Sequence, residues 1–173
     1  MLSGGGIMYL VDSLGRSTIE YVCCHHEQAA AIAAQADAMY NNDTSVCLIT
    51  TGPGGTNALT GAAAAYVDST PVLFLTGQVK RADFASKRGV RQFGAQENDI
   101  VSMVKPVTKY AETILEPEDV LYHLQKALHL ANHGRKGPVW LDIPLDVQSA
   151  EIDETQLTEF HPETECQTDC RIL

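Results

Sequence analysis

Apolar positions along the chain fall into two alternating kinds of run. The β-branched and aromatic stretch Thr18-Ile19-Glu20-Tyr21-Val22-Cys23 predicts a strand. Residues 27–40 are alanine-rich and free of Gly and Pro, which predicts a helix ended by Asn41-Asn42-Asp43. Residues 45–51 form an apolar run suited to a strand buried on both faces. Gly52-Pro53-Gly54-Gly55 then reads as a turn, residues 56–67 as a second alanine-rich helix and residues 71–76 as a third strand. The polar stretch 77–95, with Lys80, Arg81, Lys87, Arg88 and Arg91, reads as a functional or interface loop. Beyond it the pattern predicts a short helix over 98–104 and an edge strand over 107–114. An amphipathic helix follows over 118–133, offering Val120, Leu121, Leu124, Leu128 and Leu130 to a core, with Gly134 at its end. Residues 138–143, closed by Pro144, are the last strand. Strands alternating with helices across short connections predict an α/β fold, a doubly wound and mostly parallel sheet with helices on both faces. The domain is expected over residues 1–147, and the acidic, Thr-rich stretch 148–173 reads as a linker or tail.

Composition narrows the function classes. With 173 residues the chain is long enough for one real core. Its 12 basic and 22 acidic residues give a net charge of −10, which argues against nucleic acid or an anionic membrane surface as the main partner. No apolar run approaches the ~20 residues that span a bilayer. The five cysteines are Cys23, Cys24, Cys47, Cys166 and Cys170, an odd set that does not read as a disulfide framework, so a reducing, cytoplasmic setting is expected. Cys166 and Cys170 are spaced like a metal pair, but only His161 accompanies them, and no metal site is expected.

Two places carry candidate chemistry. The first is Thr50-Thr51-Gly52-Pro53-Gly54-Gly55-Thr56-Asn57, which joins a strand to a helix N-terminus, where α/β proteins bind ligands. It satisfies neither the dinucleotide fingerprint nor the P-loop, because Asn57 stands where the former needs Gly and no Lys lies in the turn. A tight turn capped by Thr56 with no ligand is the plainer reading. The second is Cys24-His25-His26-Glu27-Gln28, which places Glu27 in a helix's first turn at the carboxyl edge of the sheet. There the helix dipole alone stabilises a carboxylate by ~0.3–1 kcal/mol. His25 and His26 point to opposite faces, which disfavours a shared metal. The small side chains of the two alanine-rich helices suit close packing, either on the chain's own sheet or against another subunit.

Taken together and in order, these segments resemble a known family. His26-Glu27-Gln28-Ala29-Ala30, the run from Cys47 to Asn57, Ala65-Tyr66-Val67-Asp68-Ser69-Thr70-Pro71 and Thr76-Gly77-Gln78-Val79 are similar to the pyrimidine-binding (PYR) domain of thiamine-diphosphate enzymes, nearest to the acetolactate synthase branch. Gln96-Glu97-Asn98-Asp99-Ile100-Val101, Lys105-Pro106-Val107-Thr108-Lys109 and Gly137-Pro138-Val139-Trp140-Leu141-Asp142-Ile143-Pro144 extend the match collinearly. The resemblance implies that Glu27 is catalytic: it hydrogen-bonds a pyrimidine ring nitrogen and favours the imino tautomer that deprotonates the thiazolium carbon. It implies that Pro53, Gly54 and Asn57 bind the cofactor. Gly5 and Gly6, within Ser3-Gly4-Gly5-Gly6, and Gln96 lie on the substrate side. The implied cofactor is thiamine diphosphate, with Mg²⁺ and the diphosphate held by a PP domain that this chain lacks and FAD contacts belonging to a middle domain it also lacks. The implied partners are a PP domain of another subunit or chain, further copies through the alanine-rich helices, and a small 2-oxo acid. Ala95 stands where acetolactate synthases carry Phe, which leaves related carboligases and decarboxylases open. So are a separate PYR subunit of a two-chain decarboxylase of the sulfopyruvate type and a non-catalytic scaffold. The family's first helix and strand are not matched, and an internal strand's absence leaves its neighbours ~10 Å apart, too far for ladder hydrogen bonds.

Overall fold

The computed structural model describes residues 1–162. Four strands, β1 (Ser45–Ile49), β2 (Val72–Gln78), β3 (Tyr110–Thr113) and β4 (Val139–Pro144), form one all-parallel sheet in the order β1-β2-β4-β3. The helices are α1 (Met8–Arg16), α2 (Glu27–Asn41), α3 (Pro53–Val67), α4 (Ile100–Val104), α5 (Val120–Asn132) and α6 (Leu145–Gln148). The period of two along each strand sends alternate residues to two cores. Cys47, Ile49, Val72, Phe74, Ala111 and Trp140 pack with α2, α3 and α4 on one face. Leu73, Leu75, Val139, Leu141 and Ile143 pack with α5, α1 and Val147 of α6 on the other. This is the expected doubly wound α/β arrangement. Among the described residues no helix is long and apolar enough to cross a membrane.

Local chemistry explains the boundaries. His26 caps α2, its Nδ1 accepting the Gln28 amide at 3.1 Å. α3 begins three residues earlier than its alanine run predicts. Gly52, at φ +65°, takes the cap, and Pro53 occupies the first helical position, where its fixed φ fits and its missing N–H costs nothing. The two alanine-rich helices bury their small faces against each other: Ala30, Ala31, Ala34 and Ala38 of α2 meet Ala58, Ala62 and Ala65 of α3 over the sheet. The outer side of the pair leaves Ile32, Met39, Tyr40, Tyr66 and Val67 exposed.

Two expectations differ from the structure. Residues 18–23 belong to no strand, although their composition favours one. Their one backbone contact is with Met1, which bonds the Val22 carbonyl and the Cys24 amide, too little to make a strand, which exists only by pairing. α1 is not among the expected elements. Its apolar positions Leu10, Val11 and Leu14 do follow helical spacing, but over nine residues and with Gly15 near the end. Of the 148–173 stretch, the described part runs back over α5: Phe160 lies against Tyr122 and His129, and its amide donates to Gln125 Oε1 at 2.7 Å. Cys166 and Cys170 lie outside the described residues.

One buried polar cluster ties the middle of the sheet together. Asp142, almost fully buried on β4, accepts the Thr76 hydroxyl at 2.8 Å and the Gln78 amide at 3.0 Å. Trp140 Nε1 donates to the same Thr76 hydroxyl at 2.9 Å while its ring stacks on Phe74, and Gln78 also donates to the Asn98 carbonyl at 3.0 Å. Burial raises the Asp142 carboxyl from its ordinary 3.8 to about 7, outweighing the pull of Thr76, Gln78 and Thr113 in the other direction. Between those values the folded chain holds a proton that the unfolded chain has lost, so this group's contribution to stability falls as pH rises through that window. Urea unfolding from about pH 4 to about pH 7 is therefore expected to show the native chain losing stability relative to Asp142→Asn. A difference that does not change with pH would contradict the assignment. Packing is equally testable at Gly61, where a Cβ would lie 2.5 Å from Ala31 Cβ and 3.0 Å from its carbonyl carbon. Gly61→Ala is expected to destabilise the chain by about 1–3 kcal/mol in denaturant titration, despite alanine's better helix propensity.

Candidate functional site

Parallel strands deliver their connections to one end of the sheet, and here the carboxyl ends of β1 and β2 gather three segments. The first is residues 4–6. The Gly6 amide donates to Thr50 Oγ1 at 3.1 Å, and the Gly6 carbonyl accepts the Gln148 side-chain amide at 2.7 Å. A Cβ on Gly6 would collide with Thr51 Oγ1, and one on Gly77 would collide with the Gly6 carbonyl, so this crossing is possible only for bare backbone. Gly5 is exposed, with open space where its side chain would be.

The second segment is the first turn of α3. Gly52 passes so close to the Gln96 carbonyl that a Cβ would overlap it. Gln96 itself has φ +59°, a left-handed conformation that costs a non-glycine residue energy, and its side chain is exposed beside the turn. Gly54 is buried under Thr50, and a Cβ placed on it would stand 2.8 Å from Thr50 Cγ2 and 3.5 Å from Glu27 Oε1. The third segment is the start of α2. Glu27 is half-buried at the first helical position, where the helix dipole favours its charge, and Asn57 Nδ2 donates to its Oε2 at 2.9 Å.

The fold thus brings Glu27, Pro53, Gly54, Asn57, Gly6 and Gln96 to one edge, with Gly5 on the exposed side of the same loop. Sequence reasoning singled out Thr50 and Thr51 only as part of the turn. The structure makes Thr50 the hinge that touches both residues 4–6 and Gly54, and leaves Thr51 Oγ1 buried without a hydrogen-bond partner. Hydroxyl residues ending a strand are too common to signal this. Gln148, in the stretch expected to be linker, is a second support that composition could not reveal.

The arrangement is open to solvent. Pro53, Asn57 and Gln96 face solvent. A cavity of about 370 Å³ lies along the same edge, lined by Gln78, Phe84, Asn98 and Asp142 among others, but none of Glu27, Pro53, Gly54 or Asn57 contributes to it. Among the described residues no group of three His, Cys, Asp or Glu side chains is placed to hold a metal ion. Chemically, the face offers one carboxylate oxygen, a flat surface made by missing side chains, and an amide that fixes the carboxylate.

Comparison with known proteins bears on this geometry. A 150-residue stretch is 40% identical to the probable acetolactate synthase large subunit of Methanocaldococcus jannaschii, covering 87% of this chain and 24% of that protein. The acetolactate synthase of Arthrospira platensis is 42% identical over 154 residues, covering 87% and 26%. The isozyme 2 large subunit of Escherichia coli K12 is 39% identical over 170 residues, covering 94% and 30%. The chain therefore spans about a quarter of the length of the curated relatives it matches. The family model described as thiamine pyrophosphate enzyme, N-terminal TPP binding domain, matches residues 1–103, which contain Glu27, the Gly-Pro-Gly turn, Asn57 and Gln96. With that match over more than half its length, the chain belongs to the N-terminal TPP-binding domain family of thiamine pyrophosphate enzymes.

Proposed function

We propose that this chain is the pyrimidine-binding half of a thiamine-diphosphate enzyme of acetolactate synthase type, acting on small 2-oxo acids. The observation that carries the reading is the Glu27 carboxylate, held at Oε2 by Asn57 and turned at Oε1 toward the bare face of Gly54. The residues fit the cofactor's flat ring: Gly54 leaves a surface that a side chain would fill, and the buried Thr51 hydroxyl is unpartnered beside Gly6. When bound, thiamine diphosphate supplies the thiazolium carbon that attacks the 2-oxo acid.

The chain's own part is to orient and to manage one proton. Asn57 occupies Oε2, so Oε1 is the atom left to accept or hold a proton at a ring nitrogen. A glutamine at 27 could bond there but could not exchange that proton. Pro53 and Gly54 keep the approach free of side chains, and residues 4–6, pinned by Thr50 and Gln148, border the substrate side together with Gln96. No described cluster suits Mg²⁺. The diphosphate and its metal are assigned to a PP domain from another polypeptide segment, which also closes the open side. The exposed outer edge of α2 and α3, with Ile32, Met39, Tyr40, Tyr66 and Val67, is the surface assigned to that partnership and to further copies of the chain. FAD is assigned no residue here.

A chimera tests the reading: the Arthrospira platensis enzyme with its matching segment replaced by this chain, supplied with thiamine diphosphate, Mg²⁺ and pyruvate. Glu27→Gln is expected to lower kcat on the order of 10²–10⁴-fold, the range for loss of a general acid–base group, with cofactor still bound. Gly54→Ala is expected to raise the cofactor concentration for half-saturation on the order of tenfold while circular dichroism stays unchanged. A folded chimera that releases no CO₂ with Glu27 intact would favour a scaffold role instead.

A further inference from the structure

The Gly6 carbonyl is held by Gln148, 142 residues further along the chain. It reaches that partner over Gly77, where a Cβ would overlap it, and accepts the Gln148 side-chain amide at 2.7 Å. The same Gln148 nitrogen donates to the Ile143 carbonyl of β4, also at 2.7 Å. A side-chain amide nitrogen carries two hydrogens, so both are engaged in joining these two carbonyls. Its oxygen, Oε1, is buried with no hydrogen-bond partner. A buried acceptor left open is costly, and a side chain that only filled the space, such as methionine, would leave none. The glutamine is therefore matched to its two donated bonds rather than to packing.

Gln148 is itself fixed. It ends α6, which follows β4 directly, and its neighbour Val147 is buried in the core that α5 covers. On the other side of the Gly6 α-carbon, the Gly6 amide donates to Thr50 Oγ1 at 3.1 Å. The two peptide planes that meet at Gly6 are thus each tied to a side chain, one following β1 and one on α6. Because the peptide is planar and trans, the Gly5 carbonyl points away from Thr50. Gly5 itself is exposed, with open space where a side chain would be, so the loop presents bare backbone in a set orientation.

We propose that Gln148 is a positioning residue for the reaction assigned to this site: by clamping Gly6 to β4 it sets where the exposed backbone at Gly5 stands, and so how tightly a small 2-oxo acid is held. The proposal rests on the reading of residues 4–6 as the substrate side. The clamp needs two donated hydrogens at position 148. An ionised glutamate there has the same reach but turns oxygens with no hydrogen toward two carbonyls, and on protonation it regains one donor.

The clamp is tested in this chain by amide exchange of Gln148→Glu and Gln148→Met, each against the unsubstituted chain at the same pH. Exchange at Gly6 and Ile7 is expected to quicken ~10-fold or more near neutral pH in both, with the Trp140 and Leu141 amides of β4 unchanged. From about pH 8 down to about pH 5 the excess should shrink in Gln148→Glu and persist in Gln148→Met. In the Arthrospira platensis chimera, Gln148→Glu is expected to raise KM for pyruvate on the order of tenfold, with half-saturation by thiamine diphosphate unchanged and KM recovering as pH falls. Unchanged exchange at Gly6 in both variants overturns the clamp, and faster exchange throughout β4 overturns it by making Gln148 a support of the whole fold. An unchanged KM, an equal loss toward pyruvate and cofactor, or a Gln148→Glu defect that ignores pH overturns the positioning role. A chimera inactive with Gln148 intact defeats the reading of the site and the substrate role with it, while exchange at Gly6 still decides the clamp.

Discussion

Close approach made possible by glycines that carry no side chain is the constraint on which the rest of the site depends. Gly6 crosses Thr51 and Gly77, and Gly52 crosses Gln96. These two crossings bring loops from distant parts of the chain against the turn that opens α3. A side chain at either crossing would push the loops apart, and Glu27 would keep its helix while losing its surroundings. The glycines thus act on the candidate site through what they let the backbone approach. The parallel sheet supplies the reason they meet at all, because every crossover returns to the same end.

A second layer holds that edge from beneath. Asp142, Thr76, Trp140 and Gln78 connect β2 to β4 through side chains, and Gln78 continues to the Asn98 carbonyl. The loop that presents Gln96 is thereby fastened to the sheet by a neighbour two residues away. A buried carboxyl is an expensive fastener, and its raised proton affinity is the measurable trace of that cost.

The sequence made some of this legible and concealed the rest, for physical reasons. α2, α3 and the strands of the sheet follow directly from composition and period, since alanine-rich runs and apolar β-branched runs are local properties. Gly54 and Asn57 stood out as candidates because a glycine turn between strand and helix is where ligands approach, Glu27 because it opens a helix at the sheet edge, and resemblance suggested the roles proposed for them. Residues 18–23 misled because strand propensity describes one chain while a strand needs two. The supports from Thr50 and Gln148 were invisible because common residues in ordinary positions acquire meaning only through what the fold sets beside them. The Asp142 cluster was likewise hidden: an aspartate in an apolar strand looks like an exception until its three donors are seen.

The chain's one tryptophan lies at the centre of that cluster, its ring flat on Phe74 and its nitrogen bonded to Thr76. Its indole is a native optical probe, screened from water in the closed sheet. Emission from it should stay blue while loops at the edge rearrange, and shift to the red only when β2 and β4 part. Loop rearrangement and true unfolding, which many spectroscopic signals confuse, would here be distinguished by the protein's own fluorescence.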